Sequence, residues 1–65
     1  MTSYSDLADE VAGLERRVSD AVFDTVRAQL RDGEDDAARD LERQLSRARR
    51  SLQKAEMILR AVSDD

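Results

Sequence analysis

Sixty-five residues with a net charge of −4, no Cys and no His make at most one small domain, without disulfides and without the common zinc, haem or non-haem iron ligand sets. For so small a core, oligomerisation or a partner chain is the remedy that remains. The acidic balance weighs against general binding to nucleic acid or to anionic membranes.

Apolar and charged residues each make up 40% of the chain, Pro is absent, and Gly occurs twice. Such a composition points to long helices. Disorder is the competing reading of so much charge, but both signs are interspersed and the apolar residues recur too regularly for it. The opening residues lack the basic region and apolar core of a secretory signal, and no apolar run approaches the length of a membrane span. The expectation is a cytoplasmic protein with no membrane association.

Thr2, Ser3 and Ser5 open the chain with N-cap chemistry, and Ser3 followed by Asp6 resembles a capping box. Helix 1 therefore begins between Ser3 and Asp6. Asp6, Asp9 and Glu10 fall in its first turns, where the helix dipole favours anions. Its apolar stripe runs Tyr4, Leu7, Val11, Leu14, Val18 at alternating three- and four-residue steps, then Val22, Val26 and Leu30 at four-residue steps. The change amounts to a stutter, with Phe23 beside it on the edge of the stripe. Gly13 falls on a polar face, where it costs about 1 kcal/mol relative to Ala. It is either a tolerated Gly or a point of close backbone approach.

Arg27 and Arg31 suit the end of helix 1, and Gly33 suits a C′ residue in the left-handed conformation. Asp35 or Asp36 can cap the next helix. One uninterrupted helix is the alternative, but the two apolar seams are out of register across Gly33.

Helix 2 carries the longest seam: Ala38, Leu41, Leu45, Ala48, Leu52, Ala55, Leu59, Val62, a heptad pattern with no polar interruption. Alternation of large and small along it lets facing helices approach closely. Ser63, Asp64 and Asp65 are expected to fray. The fold class expected is all-α: one antiparallel helical-hairpin domain over 1–65, with helix 1 at about 4–31, a turn at 32–35 and helix 2 at about 36–62, dimerising into a four-helix bundle.

The oligomer core is expected to contain Leu7, Val11, Leu14, Val18, Val22, Val26 and Leu30 from helix 1. Helix 2 supplies Leu41, Leu45, Ala48, Leu52, Ala55, Leu59 and Val62. Two helices side by side cover one flank of each seam and leave the other wet, and Phe23, Met57 and Ile58 lie outside the seams as a candidate extra interface. With the turn at Gly33, residue i of helix 1 faces about residue 67 − i of helix 2. That register puts Glu15 and Arg49 near one level, where they can pair. It also puts Phe23 far from Ile58, unless a second hairpin in antiparallel orientation brings the two together.

No catalytic constellation is present: the chain has no His, no Cys and no Gly-rich phosphate loop. No metal site and no cofactor are expected. Glu34, Asp35 and Asp36 are oxygen ligands at a turn, but their spacing matches no calcium loop and capping explains them. The distinctive charged feature is Arg39, Arg43, Arg47, Arg50 and Lys54, recurring every three or four residues opposite the seam. Like charges at this spacing repel by a few tenths of a kcal/mol per pair. The stripe is a solvated outer face, a site for an acidic protein partner, or a clamp for nucleic-acid phosphates.

In length, hairpin plan and alternating seam the chain is similar to the Rop family, small RNA-binding helical hairpins that dimerise into four-helix bundles. The likeness rests on no shared residue motif, so no functional residue is carried over. The chain also lacks the Trp-x-Gly turn of the small secreted helical-hairpin proteins. The function expected is a small non-catalytic interaction or regulatory module that self-associates, as a homodimer, and binds a protein partner through a helical face. One alternative is a Rop-like nucleic-acid-binding regulator using the Arg stripe. Another is a subunit of a hetero-oligomeric helical complex, docking a helical protein partner on Phe23, Met57 and Ile58.

Overall fold

The computed structural model describes residues 2–33 and 35–63; Met1, Glu34, Asp64 and Asp65, and with them the expectations about the acidic turn cluster and the frayed end, lie outside the described residues. Two α-helices, α1 (Tyr4–Asp32) and α2 (Asp36–Ser63), form a hairpin with no strand among the described residues. The hairpin measures 49 × 15 × 14 Å. Among the described residues no helix is long and apolar enough to cross a membrane.

Both helices start where short polar side chains accept their first free amides. The Asp6 N–H donates to Ser3 Oγ at 3.3 Å, and the Ala38 N–H donates to Asp35 Oδ1 at 2.6 Å. Asp35, rather than Asp36, is thus the cap of α2. At the end of α1, Gly33 has φ 88° and ψ 162°. The positive φ is as expected, but ψ is extended rather than left-handed helical. That pair of angles is open essentially to Gly alone.

The helices pack along their whole length, yet Ala8 is the one fully buried apolar residue among those described. On α2 the half-buried positions are Ala38, Glu42, Leu45, Arg49, Leu52, Glu56, Leu59 and Ser63, together with Ser46 and Ala55. On α1 they include Val11, Glu15, Val18, Val22, Val26 and Gln29. The hairpin contact therefore uses the large residues of the α2 seam and their polar flank. Leu41, Ala48 and Val62 are left exposed.

Leu30, at 83% exposure, shows what the stutter does. Each four-residue step rotates a position by about 40°, so Leu30 stands roughly 120° round from Val18. Gln29 takes the contact position instead and donates from Nε2 to Glu42 Oε2 at 3.1 Å.

The observed register differs from the expected one by about one helical turn. Gln29 meets Glu42, Glu15 meets Glu56 and Asp9 meets Arg60. Two causes combine. Helix α1 runs to Asp32 and α2 starts at Asp36, so the centre of the turn lies beyond Gly33. Helical side chains also lean toward their own N-terminus. In an antiparallel pair this moves α1 side chains away from the turn and α2 side chains toward it, so contacting residues have higher numbers than the backbone midpoint implies. Arg49 therefore does not pair with Glu15, and its Nε is sequestered without a partner.

The two glycines differ in kind. A Cβ on Gly13 meets only Arg16 Nη2, at 3.8 Å, whereas Gly33 has open space around it but a positive φ. Gly13→Ala is expected to stabilise the chain by about 1 kcal/mol and Gly33→Ala to destabilise it by about 1–3 kcal/mol, both read from urea unfolding by circular dichroism.

Candidate functional site

The ion pair between Arg60 Nη2 and Asp9 Oδ1, at 3.2 Å, fixes which flanks of the two helices share a side of the hairpin. Arg60 also reaches Glu56 Oε2 at 2.7 Å. Positions on this charged side, by helical periodicity, are Asp9, Arg16, Phe23 and Leu30 on α1, and Glu42, Ser46, Gln53 and Met57 on α2.

The other side of the hairpin has a different character. On α1 it presents Leu7, Val11, Leu14, Val18, Ala21, Thr25 and Ala28. On α2 it presents Ala37, Leu41, Gln44, Ala48, Ser51, Ala55, Ile58 and Val62. Each set alternates three- and four-residue steps and contains no charge, and Glu10 and Asp40, at the helical angles of Ala28 and Ile58, mark its outer edges. Leu41 is 52% exposed, Ile58 56%, and Leu14 and Val62 44% each. The expected core residues thus divide. Val11, Val18, Val22, Val26, Leu45, Leu52 and Leu59 sit in or beside the hairpin contact, with Leu7 and Ala55 half-buried at its edge. Leu14, Leu41, Ala48 and Val62 stand on the open, charge-free side. The candidate extra interface divides too: Phe23 (63% exposed) and Met57 (72%) lie on the charged side, opposite Ile58.

The Arg stripe runs along the outer part of α2, and by helical periodicity Arg39 and Arg50 lean toward the charged side. Arg39, Arg43, Arg47 and Arg50 line a shallow groove with Gln29, Glu42 and Ser46. Arg43, Arg47, Arg50 and Lys54 make no ion pair with the described residues, in contrast to Arg27 with Asp24 and Arg31 with Asp32. The described residues hold no group of three or more acidic, His or Cys side chains able to bind a metal ion.

A polar cluster that the expected register had hidden sits inside the hairpin contact. The Glu15 and Glu56 carboxyls come together between the helices, and Glu15 Oε1 is sequestered without a partner. Burial holds the Glu15 carboxyl above its ordinary 4.5; the hydrogen bond and charge of Glu56 add to the rise, against Arg60 and Arg16. Glu56 is held below 4.5, first by its hydrogen bond with Arg60 and then by that with Glu15. Arg60 in turn is held above its ordinary value by Glu56 and Asp9.

Comparison of the chain with protein-family models, with curated proteins and with solved structures finds no match.

The two carboxyls give the hairpin opposite pH responses. Glu15 favours the folded state increasingly as pH falls from neutrality toward its folded pKa above 4.5, because the folded chain then holds a proton that the unfolded chain does not. Glu56 contributes above its unfolded pKa, and that contribution is lost as pH falls through its folded value below 4.5. Thermal melts should show wild-type stability rising relative to Glu15→Gln, which carries no charge to bury, as pH falls from neutrality toward 4.5. The variant should melt higher than wild type at neutral pH.

Proposed function

We propose that the chain is a small non-catalytic helical module that self-associates, as a homodimeric four-helix bundle, and that binds a protein partner through a helical face. The observation that carries this reading is the incomplete core. A hairpin with Ala8 as the one fully buried apolar residue among those described removes too little apolar surface from water to offset the ordering of its helices. The residues that would complete the core are already spaced for it, on a side of the hairpin without charge. Burial of that side against other helices supplies the missing stabilisation.

Light scattering across a dilution series, with circular dichroism on the same samples, tests the proposal. The expected result is a helical species of twice the 7.3 kDa chain mass that persists on dilution. A weakly helical monomer would sink self-association and point to a subunit whose core is completed by a different helical protein.

The Arg stripe supports the second half of the proposal. Arg43, Arg47, Arg50 and Lys54 recur on the outward side of α2 without ion pairs to the described residues. Such a row suits an acidic segment of a protein partner, where charge complementarity speeds encounter and fixes register. The same row favours a second reading, a nucleic-acid-binding regulator in which the guanidinium groups clamp phosphates. Combined reversal (Arg43→Glu, Arg47→Glu, Arg50→Glu) should leave helicity and self-association unchanged and abolish partner binding. If the partner is a short RNA or DNA duplex, the salt dependence of its affinity should flatten by about 0.9 log units per log unit of salt for each lost phosphate contact.

A further inference from the structure

We infer that the charge-free side of the hairpin is the dimer contact, and that its partner is a second copy of this chain in antiparallel orientation, the two turns at opposite ends of the bundle. The inference deepens the proposed self-association and rests on it.

Size is the first argument. A face bounded by the 49 Å length and 15 Å width of the hairpin covers about 700 Å² per chain, close to the share of each partner in a standard stable interface. Charge is the second. This side runs the length of both helices with Leu7, Leu14, Leu41, Ile58 and Val62 uncovered or half-covered and no ionisable group among them. The other side carries Asp9, Arg16, Glu42 and Arg60, and there Arg60 already ties Asp9 and Glu56 together. A second copy presents the same face, neutral along its middle, and leaves Glu10 and Asp40 at the solvated rim.

Orientation follows from side-chain size. On α1 one heptad row reads Leu7, Leu14, Ala21, Ala28, large at the open end of the hairpin and small toward the turn. Helix α1 spans Tyr4–Asp32, so antiparallel pairing about its midpoint sets Leu7 against Ala28 and Leu14 against Ala21. On α2 the matching row reads Leu41, Ala48, Ala55, Val62, which runs large, small, small, large from either end. Every layer of the antiparallel bundle then mixes large and small side chains. With both turns at one end, Ala21 and Ala48 of both copies share a layer, and Leu7 and Val62 of both copies share another. The first layer is hollow and the second overfilled, and packing penalises both.

Two measurements decide it. The chain has no Cys, so Ser5→Cys, exposed near the start of α1, takes a single spin label per copy. Antiparallel pairing predicts a label separation beyond about 40 Å, and turns at one end predict less than about 30 Å. Ala48→Glu sets a carboxylate in the proposed contact, whereas Gln53→Glu sets one on the opposite side; both positions are exposed in the single hairpin. Ala48→Glu should weaken dimerisation at least about a hundredfold, and Gln53→Glu should leave it intact. A dimer with a short label separation, or one indifferent to Ala48→Glu, would overturn this pairing and leave self-association standing. A labelled chain that stays monomeric would remove both. The distance measurement does not depend on whether the Ala48 variant folds.

Discussion

One helix can cover only part of another helix's apolar stripe, and that limit shapes this molecule. Leu45, Leu52 and Leu59 stand at the middle of the α2 stripe, with Glu42, Arg49 and Glu56 on one flank and Leu41, Ala48, Ala55 and Val62 on the other. Helix α1 packs over the leucines and the polar flank, half-burying Glu42, Arg49 and Glu56 while Leu41 and Val62 stay in water. The hairpin contact thus takes in the polar flank of the α2 stripe and leaves its apolar flank in water. A stripe wider than one contact is the mark of a helix with more than one neighbour.

The polar contact has its own consequences. Gln29 with Glu42, Glu15 with Glu56 and Asp9 with Arg60 fix the register at three levels, but none is a strong source of stability. The ion pairs are largely exposed, and exposed pairs contribute about 0–1 kcal/mol each. Glu15 resists ionisation because burial disfavours its charge, and Arg49 Nε goes without a partner. These groups specify which residues lie side by side more than they hold the helices together. Cohesion within the hairpin comes instead from the half-buried valines of α1 and leucines of α2.

Helix limits and caps were legible in the sequence because they are local. Ser3 and Asp35 cap their helices, and Gly33 carries the positive φ, all within a few residues of the signals that announced them. The division of the seam was not legible, since heptad spacing shows that a stripe is apolar without showing which flank the nearest helix takes. Register failed for a geometric reason: counting from Gly33 ignores the lean of side chains toward each helix N-terminus, and in an antiparallel pair those leans add. The Glu15–Glu56 contact was lost with it. Phe23 and Ile58 were grouped by hydrophobicity and level, whereas helical angle decides the side, and it sets them apart.

The antiparallel pairing proposed above bears on the Arg stripe. With the turns at opposite ends, the two-fold axis lies across the helices, and α2 of one copy neighbours α2 of the other. Both copies then turn Arg39, Arg43, Arg47, Arg50 and Lys54 to the same broad face of the bundle, and both α1 helices, with outward charges of mixed sign, form the opposite face. With the turns at one end, the two stripes would instead point in opposite directions. Pairing thus decides whether an acidic partner meets one row of cations or two adjacent rows. Two rows on one surface raise the effective concentration of the second contact once the first is made. They also gather basic charge locally on a chain whose net charge is −4. Assembly and recognition would then draw on opposite sides of α2: the small-residue row sets the copies together, and the arginines behind it become a shared surface that neither hairpin has alone.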